Sequence, residues 1–289
     1  NKTEKLFSND FKGFDFNVGE KKFRFKVNNA DQVKTTQSDI NLHINRMIRG
    51  LYPIHKHKTE LLMPMPHTVT ALLPMRHNSE RVQGKNYRPF GDGRLLFEHS
   101  LCSLLETPSV DLVVIDTDSP TILELCEQKY PMVQLIVRPD NLIAANVPMN
   151  AIIQHDVSQC KGNYFLQTHS TNPLITSNIF EEAIRTFFAN LQIYDSLFSV
   201  TSVQSRFWDA MARPINHNRD ILLRTQDMPP IFEENSCFYL FDRETMINRN
   251  NRIGSRPYLF AIDKIHAADI DEEQDYVIAE QLFKLRTQT

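Results

Sequence analysis

The sequence predicts an α/β protein built on a mostly parallel sheet flanked by crossover helices. Two observations carry this. From Val69 onward, short β-branched apolar runs alternate with amphipathic helical patterns in strand-helix-strand order. The 289 residues are also enough to bury one large core with a smaller attachment.

The first core strand starts at Val69, where Val69-Thr70-Ala71-Leu72-Leu73-Pro74 is short, apolar and bounded by Pro. Leu95 to Leu105 is an amphipathic helix, and Val110 to Ile115 is a strand running into Asp116-Thr117-Asp118. A helix from Ile122 to Tyr130 and a strand from Val133 to Val137 follow, the latter ending at Arg138-Pro139. Residues 147 to 158 read as helix, Tyr164 to Leu166 as a strand ending at Gln167, Ile179 to Leu191 as helix and Leu197 to Val203 as strand. Phe238 to Phe241 and Tyr258 to Ile262 are short strands, and Glu272 to Leu285 is the closing helix.

Residues 1 to 66 form an N-terminal extension, and 67 to 289 the main domain. The extension holds 12 Lys and Arg against 7 Asp and Glu, which leaves 20 against 28 for the remainder, so it reads as a separately acquired element. Phe14, Phe16 and Val18, then Phe23, Phe25 and Val27, alternate with polar residues on either side of Gly19-Glu20 and predict a hairpin. Ser38-Asp39 offers an N-cap to a helix bearing Ile40, Ile44, Met47, Ile48 and Leu51. His55 and His57 stand between lysines in a Pro-flanked linker and are read as solvated.

A formal charge of −3 gives no global reason to expect nucleic acid or an anionic membrane as partner. No run of about 18 apolar residues is present to span a bilayer. Cys102, Cys126, Cys160 and Cys237 lack CxxC spacing, which argues against zinc and against a disulfide framework. The expected home is intracellular, in the cytoplasm, or in the nucleus or an organelle if a targeting segment before Asn1 has been removed.

Chemistry concentrates after the first core strand, where Arg76, Arg81 and Lys85 follow one another in a polar loop at the strand's C-terminal end. Open α/β sheets bind ligands at that edge, and three cations suit a triphosphate. The loop is neither a Walker A nor a GxGxxG sequence. A second constellation is Asp269-Ile270-Asp271, whose two carboxylates can project the same way from an extended segment and hold a hard cation such as Mg²⁺. The same spacing also suits one Asp capping the closing helix.

Arg76-x-x-Ser79-x-Arg81-x-x-Gly84-Lys85-Asn86 resembles the signature loop of the cytidylyltransferases that activate sialic acids and the related sugar acid Kdo. Four further blocks resemble the same family in the same order: Arg138-Pro139, Phe165-Leu166-Gln167, Arg224-Thr225-Gln226-Asp227 with Glu234-Asn235-Ser236-Cys237-Phe238-Tyr239, and Ala268-Asp269-Ile270-Asp271-Glu272-Glu273-Gln274-Asp275. The resemblance implies a Rossmann-like nucleotidyltransferase fold and an enzyme joining CTP to a 2-keto sugar acid, as CMP-sugar plus pyrophosphate. It assigns CTP to Arg76, Asn78, Ser79, Arg81, Lys85, Asn86 and Arg138, with Arg138 and Asn86 on the base. It assigns the sugar acid to Gln167, Arg224, Gln226, Asn235 and Tyr239, magnesium to Asp269 and Asp271, and catalysis to Arg76, Lys85 and Asp271.

Three departures stand out. Ser236 occupies a family Gly, Glu80 a family basic position, and residues 168 to 172 form a loop two residues longer, where the acidic residue of the Kdo enzymes is missing. His169 in that loop reads as an ordinary polar-loop histidine. Alternatives are the same fold with GTP or another sugar acid, a glycosyltransferase using Asp116-Thr117-Asp118 as a metal-binding DxD, and a non-catalytic binding protein. The resemblance also implies a homodimer, for which residues 204 to 235 supply Arg206, Phe207, Trp208, Met211 and Pro229-Pro230-Ile231-Phe232, types enriched at interfaces.

Overall fold

The computed structural model describes residues 13–18, 21–26, 68–79, 81–221 and 223–287. The expected helix after Ser38, the His55 and His57 pair, and Glu80 lie outside the described residues. The chain divides into two compact units, Asn1–Met63 and Pro64–Thr289. In the first, β1 (Gly13–Val18) and β2 (Lys21–Lys26) form an antiparallel hairpin with Phe14 opposite Phe25 and Phe16 opposite Phe23.

The second unit runs β3 (Val69–Met75), β4 (Pro89–Phe90), β5 (Arg94–Leu95), α1 (Leu96–Leu105), β6 (Val110–Thr117), α2 (Pro120–Lys129), β7 (Gln134–Val137), α3 (Met149–Gln159) and β8 (Tyr164–Thr168). It continues with α4 (Ser177–Ala189), β9 (Ser196–Val203), β10 (Ile231–Asp242), α5 (Arg243–Arg249), β11 (Pro257–Ile262) and α6 (Glu273–Thr287). Seven strands form one sheet in the order β11-β9-β10-β8-β3-β6-β7. Only β10 runs against its neighbours, β8 and β9; every other pairing is parallel. The α/β reading with a mostly parallel sheet therefore holds.

Every residue of β3 is buried, because helices cover both faces of the sheet. On one face Leu73, Val113, Ile115 and Leu166 meet Phe97 and Leu101 of α1 and Phe180, Ile184 and Phe187 of α4. On the other, Leu72, Val114, Phe165 and Tyr239 meet Ile153 and Val157 of α3 and Met246 of α5. Fully burying such a side chain contributes about 1.5–3 kcal/mol. A smaller cluster of Val82, Phe90, Leu96, Leu174, Ile270, Tyr276 and Ala279 fixes α6 and its approach against the loop after β3.

Helix starts follow local chemistry. The Ser119 hydroxyl accepts the Ile122 N–H at 3.3 Å with Pro120 behind it, and Asp242 accepts the Thr245 N–H at 2.6 Å. Leu95 lies just outside α1 because the Glu98 carboxylate takes its N–H at 2.7 Å. Four elements escaped the sequence pattern. β10 extends from Ile231 rather than Phe238, α5 was not expected, and β4 and β5 form a two-residue ladder. The long β10 is hidden by a bulge between Glu234 and Tyr239 that breaks period-2 alternation, with Ser236 at φ 58°.

Where β6 and β7 end, Arg138 is buried with its guanidinium on the Asp116 carboxylate, and its Nη2 also donates to the Asp116 carbonyl at 3.3 Å. Asp156, on α3, is the third member of this group. Burial and the neighbouring Asp116 push its carboxyl up to about 9, so it carries a proton at neutral pH. That proton accounts for Asp116 Oδ2, which has no donor from any other group. Arg138→Met removes one partner of a buried pair and should cost about 3–5 kcal/mol at pH 7. The Asp116 carboxyl of that variant would sit above its unfolded pKa. The cost is therefore full above the folded value, shrinks as pH falls through it and is gone below the unfolded one. Urea unfolding at pH 7 and pH 5 reads both effects, and equal stability of variant and wild type at pH 7 would contradict them.

Candidate active site

Strand order reverses between β3 and β8, since β6 and β7 lie to one side of β3 and β8 to the other. Such switch points open a crevice at the strands' C-terminal ends. Three segments meet there: residues 76–87 after β3, residues 169–175 after β8, and residues 268–272 before α6.

The loop after β3 is shaped by Gly84, at φ 62°, where a Cβ would come within 2.8 Å of the Tyr87 ring. A left-handed residue in that position is easiest for Gly. It leads into a short 3-10 turn, Lys85–Tyr87, that aims Lys85 and Asn86 in different directions. Asn86 is buried; its Nδ2 donates to the Arg76 carbonyl at 2.8 Å, and its Oδ1 accepts from the Ser170 hydroxyl at 2.8 Å. It thus ties the segment after β3 to the segment after β8.

Lys85 crosses the crevice, its Nζ donating to the Ile270 carbonyl at 2.7 Å. Ile270 is fully buried and its N–H donates to the Thr171 carbonyl at 3.0 Å, so one residue is held from both sides. Arg81 Nη2 meets Asp271 Oδ1 at 2.8 Å in an exposed pair. The Asp275 carboxylate accepts the N–H groups of Asp271 and Glu272 at 3.1 and 2.8 Å, capping α6 from its own first turn. Asp269 accepts from Asn172 Nδ2 at 3.4 Å. The cap comes from Asp275 rather than from Asp269 or Asp271; the segment is the entry to α6, and it brings both carboxylates to the cationic loop.

Charge in the crevice is poised. Burial lowers the Lys85 pKa, against the opposing pull of Asp269 and Asp271 and with further lowering by Arg81 and Arg76. Asp269 is reached by solvent, yet protein around its carboxyl raises its pKa, and Asp271 adds to the rise while Lys85 opposes it. Among the described residues, the Arg76 guanidinium has no hydrogen-bond or ion-pair partner. Ser79 Oγ accepts the Val82 N–H at 3.4 Å, and Asn78 is exposed.

The structure brings Arg76, Arg81, Lys85, Asn86, Asp269 and Asp271 together, and it separates others from them. Arg138 is spent on Asp116. Arg224, exposed, forks onto the Asp227 carboxylate at 2.7 and 3.2 Å, and Gln226 is exposed beside it. Asn235 bonds within the β9–β10 bulge, accepting from Ser199 Oγ at 2.6 Å and donating to Thr201 Oγ1 at 3.0 Å. Tyr239 is fully buried, and Gln167, also buried, has both ends of its amide engaged. The DxD reading fails, because Asp116 is closed off under Arg138 and Asp118 Oδ1 accepts the His77 N–H at 2.7 Å.

Two residues that the sequence left unassigned belong to this edge. His169 has its pKa pushed down to about 3, mainly by burial and then by Arg252 and Lys85, so it is neutral. Arg252 bonds Gln167 and was not singled out, because nothing in its polar loop marks it; only its contacts do. Among the described residues, the one group of three potential metal-ligating side chains is Asp116, His155 and Asp156, within 4.8 Å of one another. Arg138 and the Asp156 proton already neutralise it. Asp269 and Asp271 suit a hard divalent cation better. They offer two carboxylates that face the crevice, and burial, with the Asp271 charge adding to it, raises the Asp269 pKa.

No helix among the described residues is long and apolar enough to cross a membrane. Over 227 residues the chain is 23% identical to pseudaminic acid cytidylyltransferase of Campylobacter jejuni, covering 74% of this chain and 95% of that one. It is 21% identical to an N-acylneuraminate cytidylyltransferase of Streptococcus agalactiae over 219 residues, which is 71% of this chain and 51% of that longer one. Among solved structures it resembles CMP:2-keto-3-deoxy-manno-octonic acid synthetase complexed with CTP, with TM-score 0.59 and 11% identity over 76% of this chain and 99% of that one. It also resembles 4-diphosphocytidyl-2C-methyl-D-erythritol synthase of Anaerococcus prevotii, with TM-score 0.55 and 10% identity over 77% and 97%. These structures share the fold. The sequence profile described as Cytidylyltransferase matches residues 70–287, and the chain belongs to that family.

Proposed function

We propose that the chain transfers CMP from CTP to a 2-keto sugar acid of the sialic acid type, releasing pyrophosphate. The observation that carries the reading is the convergence of Arg76, Arg81 and Lys85 on Asp269 and Asp271 at the sheet's switch point. The names of the relatives, pseudaminic acid and N-acylneuraminate cytidylyltransferases, support a sugar acid as acceptor.

In this reaction the sugar's anomeric hydroxyl oxygen attacks the α-phosphorus. The bond from that phosphorus to the bridging oxygen breaks, pyrophosphate leaves with its electron pair, and the hydroxyl proton is released. Such transfers ask the protein mainly for positioning and charge neutralisation. Arg76, whose guanidinium has no partner among the described residues, and Arg81 supply charge to the phosphates. Lys85, braced on the Ile270 carbonyl, delivers a fixed ammonium between the phosphates and the carboxylates. Asn78 and the Ser79 hydroxyl lie in the same loop and offer polar groups to the triphosphate. Asp269 and Asp271 would hold Mg²⁺, which when bound offsets charge on the triphosphate. Asn86 keeps the loop in register with the segment after β8.

Residues 204–230 form an arm whose Trp208, Met211, Ile215 and Ile221 are exposed, at 48%, 73%, 64% and 57%. Apolar groups of this size gathered on one segment favour an interface. The arm enters β10 at the crevice edge, so we assign it to a homodimer in which it lies against the partner's sugar site, with Arg224 and Gln226 as its polar tip.

Two tests follow. Lys85→Ala and Asp271→Asn should each lower turnover by about 10²–10³-fold with the fold intact. Pyrophosphate release from CTP or GTP against a panel of sugar acids reads this, and wild-type rates in either variant would sink the assignment. Light scattering should return a dimer whose dissociation changes the emission of Trp208, the only Trp in the chain. A fully active monomer would refute the assembly.

A further inference from the structure

Arg252 stands in the loop between α5 and β11, and that loop is pinned in place. The Asp195 carboxylate accepts the N–H groups of Ser255 and Arg256 at 2.8 and 2.9 Å, and Ser196 Oγ accepts the Gly254 N–H at 2.8 Å. A Cβ on Gly254 would fall 2.1 Å from Asp195 Oδ1, so the close approach demands glycine.

From this base the half-buried Arg252 side chain lies on the face of the sheet lined by Tyr239. Its guanidinium sits 3.8 Å from the Tyr239 ring centroid, and Nη1 donates to Gln167 Oε1 at 2.6 Å. Gln167 Nε2 in turn meets His169 Nε2 at 3.1 Å, and His169 lies within electrostatic reach of both Arg252 and Lys85. A row of groups thus leads from Arg252 to the phosphate-binding lysine.

What the row lacks is a carboxylate in contact with the guanidinium, although the nearby Glu234 charge favours the Arg252 cation against its burial. Among the described residues no carboxylate forms an ion pair with Arg252. The nearby Glu234 carboxylate accepts the Tyr239 hydroxyl instead. Taking a cation partly out of water is costly unless something repays it. A guanidinium offers five N–H donors in a planar fork, and Gln167 and Tyr239 engage only part of it. The fork matches a carboxylate bidentately.

We propose that Arg252 binds the carboxylate of the acidic sugar, with Tyr239 supporting its face and Gln167 fixing its edge. The inference rests on the cytidylyltransferase reading and names the residue that selects an acid over a neutral sugar. It also gives Gln167 and Tyr239 an indirect part in sugar recognition, which fits their burial.

The test is steady-state kinetics with CTP and the sugar acid that the wild-type chain uses best among N-acetylneuraminic acid, pseudaminic acid and Kdo, each paired with its methyl ester. Wild type should prefer acid to ester by about 10²-fold or more in kcat/KM. Arg252→Gln should raise the KM for the acid about thirtyfold or more, the scale of losing a buried charged partner. It should also erase most of the acid preference while leaving the KM for CTP and the thermal shift by CTP near wild type. Arg252→Lys, which keeps stem and charge, should recover part of the preference, and it reads the same ratio if Arg252→Gln does not fold. An acid-to-ester ratio unchanged in the variants, or the KM values for CTP and acid rising together, overturns the inference and leaves the cytidylyltransferase reading standing. Wild type that turns over none of the acids overturns both.

Discussion

The bond from Lys85 Nζ to the Ile270 carbonyl is the constraint on which the rest of the site depends. It joins two segments 185 residues apart, and it does so through a backbone acceptor that lies between two acidic side chains. A lysine held by either carboxylate would neutralise it. Bound to the carbonyl instead, Lys85 stays close to both Asp269 and Asp271 without pairing with either, and Asp271 takes Arg81 as its partner. The buried Ile270 side chain and the Thr171 carbonyl keep that acceptor from moving. The small apolar cluster beneath the loop therefore sets the distance between opposite charges above it.

The same economy governs the other buried ions. Arg138 satisfies Asp116 from inside, and a proton on Asp156 completes the group, so this knot is closed to ligands even though its residue types resemble a metal site. The crevice is built the other way: among the described residues, no carboxylate takes up the donors of Arg76 and Arg252. Residue type alone would rank the two places in the wrong order. The hydrogen-bond accounting separates a structural charge from an available one.

Much of this was legible in the sequence. β3 and the loop after it are a short apolar run giving way to three cations, and both Asp269 and Asp271 stand before a clear helix; local pattern suffices where one segment carries the whole signal. Arg252 was not legible, because its meaning lies in Gln167, 85 residues away, and in a ring on another strand. Asn86 was read as a base contact, whereas its amide is used by Arg76 and Ser170, which only the folded chain brings together. β10 was read at a third of its length, since the polar run from Glu233 to Ser236 and the bulge erase alternation. Ser236 at positive φ also gives a physical reason for the glycine that the family places there.

In the seven-stranded sheet, β10 is the one strand that begins where its neighbours end. A polypeptide that travels outward along β9, forms the 204–230 arm and returns through β10 passes the crevice rim twice and is clamped into the sheet immediately on both sides. Glu234, Ser236 and Tyr239 follow the end of the arm within a few residues of chain. Tyr239 underlies Arg252, so the strand that closes the arm also carries the ring beneath the guanidinium.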